Sequence, residues 1–161
     1  MGLVFLKFAN TSNFCKDICT IMSHHCKALM LHCIDFRFGK AIEDYLERNG
    51  LLNNCDIVSV AGAVKNLVAP KETSDRSFII RQIEISKKLH DIENVILMNH
   101  TDCGAYGETS VFTNDAEEIK KHSDDLKEAK NIVQEQYPDL GIQLVLSKIN
   151  SSGQITFEEI K

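Results

Sequence analysis

The sequence predicts an α/β fold: a mostly parallel sheet of about four parallel strands plus one antiparallel edge strand, with helices on both faces. Three observations carry that prediction. From Lys27 onward, short apolar runs alternate with segments of helical periodicity. The runs are apolar throughout, as strands covered on both faces require. The chain then closes on two strand-like runs joined by a turn sequence.

The first strand is the run Ala28-Leu29-Met30-Leu31. Gly39 to Asn49 follows as a helix with Ala41, Ile42, Tyr45 and Leu46 on one face, stopped at Asn49-Gly50. Asp56 to Ala61 is the second strand, and Gly62 to Pro70 a loop. Ser74 or Asp75 then caps a helix whose inward residues are Phe78, Ile79, Ile83 and Leu89. The third strand is Asn94 to Asn99. A long polar helix over Asp115 to Gln136 carries a narrow stripe of Ile119, Leu126, Ala129 and Val133, with Pro138 at its exit. Ile142 to Ile149, the turn Asn150-Ser151-Ser152-Gly153 and Gln154 to Glu159 form the closing hairpin.

With 161 residues, 43% of them hydrophobic and 25% charged, residues 27–161 are expected to form a single domain with a sizeable core. A net charge of -5, with no basic stripe and few aromatics, argues against nucleic acid as a partner. No run approaches a membrane span. Neither is a secretory signal readable, so the six cysteines are expected to be reduced thiols in the cytoplasm. Residues 1–26 look unlike the rest: they are predicted to be an arm that packs on a partner subunit or an extension without fixed structure, with Met22 as an alternative start. Cys15, Cys19, His24, His25 and Cys26 in that segment have metal-ligand chemistry, but their irregular spacing makes an adventitious cluster the preferred reading.

The chemistry concentrates in His32-Cys33-Ile34-Asp35-Phe36-Arg37 and Asn99-His100-Thr101-Asp102-Cys103-Gly104. Alternate residues of an extended strand share a face, so Cys33, Asp35 and Arg37 are expected to converge at the end of the first strand. His32 then faces away and is expected to pack rather than shuttle protons. At the end of the third strand, His100 and Cys103 complete a set of two thiols and one imidazole. Three such ligands suit one catalytic zinc ion per subunit, because structural zinc sites are usually closed by four. In open parallel sheets ligands gather at these carboxyl strand ends.

These two motifs, Cys33-x-Asp35-x-Arg37 and His100-x-x-Cys103, resemble those of the β-class carbonic anhydrases, and the similarity runs from Lys27 to Glu159 as a short, divergent member. The resemblance implies a zinc-dependent lyase, a homodimer or larger oligomer with its pocket at the subunit interface. Its reaction would be the reversible hydration of carbon dioxide to bicarbonate and a proton by a metal-bound hydroxide. It assigns Cys33, His100 and Cys103 to zinc, and Asp35 and Arg37 to a catalytic dyad in which Arg37 keeps Asp35 ionised and aimed. In some members of that family the Asp swings onto the metal when its Arg disengages. Phe36 stands where the family usually has a small residue, and Ala61-Gly62-Ala63 replaces a longer segment. Phe36, Gly62, Val64 and Gly104 are therefore taken as the substrate-pocket candidates, with Phe38 on the same apolar passage, while Asp102 is read as exposed or structural. Two other readings use the same residues: hydrolysis of carbon disulfide or carbonyl sulfide, and a non-catalytic zinc protein whose site is closed.

Overall fold

The computed structural model describes residues 24–161. All but the last three residues of the expected arm, with Cys15, Cys19 and Met22, lie outside the described residues. Strands β1 (Ala28–His32), β2 (Cys55–Ser59), β3 (Asn94–His100) and β4 (Gly141–Ile149) run parallel, and β5 (Ile155–Glu159) lies antiparallel to β4. Their order across the sheet is β2-β1-β3-β4-β5. The architecture is the one expected from the alternation of runs.

Strand alternation divides the core into two layers. Leu29 and Leu31 of β1, Val95 and Leu97 of β3, and Leu144 and Leu146 of β4 point to one side. There they meet helices α2 (Lys65–Val68), α3 (Thr73–His90) and α4 (Asp115–Gln136) through Leu67, Ile79, Ile83, Leu126, Ala129 and Val133. Met30, Ile96, Met98 and Val145 point to the other side, against Ile42, Tyr45 and Leu46 of α1 (Gly39–Arg48). Burying each such side chain is worth about 1.5–3 kcal/mol relative to exposure, so both faces favour one register. Among the described residues no helix is long and apolar enough to cross a membrane.

Local chemistry sets the helix ends. In α3 the cap is Glu72, with Asp75 completing a reciprocal capping box, so Asp75 contributes from inside the first turn and Ser74 does not cap. Ile79 and Ile83 point inward as expected, whereas Phe78 and Leu89 both sit about 100° to one side of that stripe and are exposed. The loop expected over Gly62 to Pro70 contains the single turn α2, because Ala63, Val64 and Leu67 are spaced to bury together. Helix α4 begins with Asn114 accepting the Glu117 backbone N–H at 3.0 Å. Its inner face also carries the polar Glu118, His122 and Asp125.

The chain passes from β1 to β2 on one side and then returns to lay β3 on the other side of β1. That reversal opens a crevice at the carboxyl ends of β1 and β3. Cys33 follows β1 directly, and His100 is the last residue of β3.

Candidate metal centre

Because β1 stops at His32, Cys33, Asp35 and Arg37 do not meet as alternate residues of an extended strand. Asp35 instead caps a 3-10 turn over Phe36–Phe38 that contains Arg37. The cause is local competition: Asp35 Oδ1 accepts the Arg37 backbone N–H at 3.0 Å, which favours a turn over a continued strand. The turn also brings the guanidinium back onto the same carboxylate. Arg37 Nε donates to Oδ1 and Oδ2 at 3.0 and 3.1 Å, and Nη2 donates to Oδ2 at 2.6 Å. This fork holds the Asp35 carboxyl below the usual carboxylate range, against the opposing effect of burial.

Strand β3 supplies the other half. Asp102 adopts φ 57°, a left-handed conformation that Asp tolerates better than most residues, and the resulting reversal carries Cys103 back toward Cys33. Glu118 of α4 clamps the reversal, its Oε1 accepting the Asp102 backbone N–H at 2.7 Å and its Oε2 accepting from Thr109 Oγ1 at 3.0 Å. Asp102, expected to be exposed or structural, is a partly exposed brace: its Oδ2 accepts from Arg37 Nη1 at 2.6 Å and its carbonyl accepts from Nη2 at 2.9 Å. Arg37 therefore bridges the two loops that carry the candidate ligands. The position of Asp102 between His100 and Cys103 was the available signal for this role.

The donor set fits a tetrahedral transition metal. Cys33 Sγ and Cys103 Sγ lie 3.9 Å apart; two sulfurs each about 2.3 Å from a tetrahedral zinc lie about 3.8 Å apart. The donor atoms of Cys33, His100 and Cys103 all fall within 4.8 Å of one another. His100 Nδ1 contacts the Thr101 carbonyl oxygen at 2.8 Å. A carbonyl only accepts, so Nδ1 carries the proton and Nε2 presents a lone pair. That Nε2 is buried and has no hydrogen-bond partner, a condition that costs about 1–3 kcal/mol unless a ligand takes the lone pair. Phe38 does not line the passage but packs against the His100 ring in a tilted contact, with centroids 4.4 Å apart. The contact between the two thiols draws Cys33 well below the ordinary thiol range, and it pushes Cys103 up together with burial.

A cleft of about 550 Å³ opens over this group, lined in part by Cys33, Phe36, Arg37, Asp102 and Gly104. Phe36 and Gly104 thus occupy the wall expected of them, Phe36 at 91% exposure. Val64 does not: α2 turns it inward and it is fully buried in the core. Gly62 stands behind the wall, its backbone N–H donating to Cys33 Sγ at 3.4 Å. At φ +75°, a Cβ there would lie 2.8 Å from Ala105 Cβ. Gly62→Ala is therefore expected to destabilise the metal-free protein by about 1–3 kcal/mol. An unchanged urea midpoint would contradict that strain. His32 Nδ1 is occupied by the Cys33 carbonyl at 2.7 Å. Beneath the second loop, Tyr106 donates to Asp125 at 2.9 Å and packs edge-on against the buried His122.

A family model described as "Putative carbonic anhydrase" matches residues 23–157. An uncharacterized protein of Rickettsia conorii is 30% identical over 134 residues, covering 81% of this chain and 72% of that protein. Another from Rickettsia bellii is 33% identical over 122 residues, covering 73% and 74%. Among solved structures, one of two tetrameric β-carbonic anhydrases from the ascomycete Sordaria macrospora superposes with a TM-score of 0.52 at 14% identity, over 91% of this chain and 86% of that one. The β-carbonic anhydrase CcaA superposes with a TM-score of 0.53 at 13% identity, over 91% and 80%. At these identities the two structures speak to the fold alone.

Proposed function

Since the chain belongs to the family described as putative carbonic anhydrase, with a β-carbonic anhydrase fold, we propose that it catalyses the zinc-dependent, reversible hydration of carbon dioxide to bicarbonate and a proton. The observation that supports this reading most directly is a three-donor group, Cys33, His100 and Cys103, beside which Asp35 is paired with Arg37. Three protein donors leave a coordination position for chemistry. Bound there, a zinc ion supplies a Lewis acid that makes a water ligand easier to ionise, though two thiolates temper it relative to the value of about 7 in the best sites.

The chain's own residues do the rest. Asp35, ionised across the assay range, accepts a hydrogen bond at the open position and orients the attacking group; its Oδ2 lies 4.0 Å from His100 Nε2. Arg37 fixes that carboxylate, and Asp102 fixes Arg37. Phe36 and the nearby Ile34 are exposed apolar groups at the mouth of the cleft. A second copy of the chain closing over them would exclude water around a nonpolar gas, which supports a homodimer or larger assembly. The reading places the protein in the cytoplasm, where the thiols stay reduced.

Stopped-flow hydration of carbon dioxide by the zinc-loaded protein tests the proposal. Activity is expected to climb from mildly acidic to alkaline pH, and Asp35, titrating far lower, does not cause the rise. A flat profile or no activity above buffer would overturn the reading; in the second case carbon disulfide and carbonyl sulfide are the substrates to assay.

A further inference from the structure

A second cluster of metal-binding chemistry lies at the opposite end of the sheet. Cys26 stands just before β1, Asp56 is the second residue of β2, and His90 is the last residue of α3. The sequence groups Cys26 with its neighbours Cys15, Cys19, His24 and His25, whereas the fold supplies two partners distant in the chain. A donor atom from each of Cys26, Asp56 and His90 falls within 4.8 Å of the others. We propose that these three side chains form a second site for a divalent transition metal of the zinc class, where an ion would tie the lead into β1 to the start of β2 and the end of α3.

The supporting geometry is specific. The Cys26 backbone N–H donates to the His90 carbonyl at 3.0 Å, which fixes the thiol beside the imidazole. Asp56 Oδ2 lies 2.7 Å from His90 Nδ1 and accepts from Ser86 Oγ at 2.5 Å. Ser86 thereby plays the orienting part that outer partners play for metal-binding carboxylates. Thiolate, carboxylate and imidazole are all zinc donors, and with neutral His90 the two anionic groups balance a dication. An ion would replace the proton that His90 shares with Asp56, widening that contact by about 0.6 Å to the spacing of tetrahedral ligands. The cluster sits at the carboxyl end of an 18-residue helix, where the helix dipole favours positive charge. A pocket of about 350 Å³ covers it, with His24, His25 and Cys55 also on its lining. The fourth position is thus open to a nearby imidazole or to water.

This inference stands apart from the hydration reading, and its test removes the first site. In the full chain carrying Cys33→Ser and Cys103→Ser, cobalt(II) is titrated while the thiolate-to-cobalt charge-transfer band is followed, and equilibrium dialysis counts bound zinc. One equivalent is expected, with the band abolished by adding Cys26→Ser and unaffected by adding Cys15→Ser with Cys19→Ser. Asp56→Asn preserves size and the Ser86 contact, so it tests the ligand without emptying the site. Asp56→Asn and His90→Ala should each weaken binding more than about a hundredfold, beyond the 10–100-fold cost of losing an outer partner. Circular dichroism establishes that each variant is folded. No bound equivalent, a band that survives Cys26→Ser, or tight binding retained by folded Asp56→Asn would overturn the proposal.

Discussion

Cys103→Ala is expected to lose one equivalent of tightly held zinc and, with it, all hydration above buffer. Cys103 is buried at the end of the reversal through Asp102, and its Sγ is the only thiol donor that this loop presents to Cys33. Two remaining donors do not hold zinc at working concentrations: losing even an outer partner costs 10–100-fold in affinity, and losing a direct ligand costs more. Activity should fall by more than about a hundredfold, since the chain's own carboxylate and guanidinium have nothing to orient without the metal. The fold should survive, because removing one sulfur from a loop leaves a small cavity worth about 1–2 kcal/mol. Elemental analysis, stopped-flow hydration and a thermal melt on the same preparation separate these effects. A folded variant that keeps its full zinc content and its activity would refute the assignment of Cys103.

The sheet and this donor set were legible for a common reason: both are written in local patterns. Runs such as Ala28 to Leu31 and Val95 to Met98 are apolar on both faces, and only a strand between two helical layers satisfies them. Helix α4 was legible over Asp115 to Gln136 from its narrow apolar stripe and the proline just beyond its end, and the structure adds the Asn114 cap at its start. Spacing alone put Cys33 and His100 at strand ends. What stayed hidden depends on where the chain reverses. The strand picture for Asp35 and Arg37 failed because the capping bond from Asp35 outcompetes extension. The partner of Asp102 was not legible, because its left-handed backbone turns the carboxylate toward Arg37 across 65 residues of sequence. Val64 has the composition of a pocket wall, and only the one-turn helix α2 decides that it faces inward. The partners of Cys26 lie on β2 and α3, beyond anything its neighbours in sequence reveal.

Arg37→Ala is the second large effect, and it separates an open site from a closed one. Arg37 gives Asp35 both a backbone and a side-chain embrace, and it satisfies Asp102 with the same guanidinium. Without it, Asp35 keeps the burial that disfavours its charge and loses the cation that offsets it. The nearest replacement cation is a metal beside His100, whose Nε2 is 4.0 Å from Asp35 Oδ2, within reach of a side-chain rotation. The carboxylate is therefore expected to take the fourth position, so that a cobalt-substituted variant shows a ligand set of two sulfurs, one nitrogen and one carboxylate oxygen. Hydration should drop by about a hundredfold or more, the scale on which a misplaced group near the reacting atoms acts. Adding Asp35→Asn to Arg37→Ala should reopen the coordination position without restoring activity, since the orienting carboxylate is gone. Asp102→Asn should cost far less, because Asp35 keeps its Arg37 fork when only the outer brace is weakened. Near-normal hydration by Arg37→Ala would mean that the Asp35–Arg37 pair has no part in the reaction. An open cobalt spectrum with lost activity would mean that Arg37 aims Asp35 without restraining it from the metal.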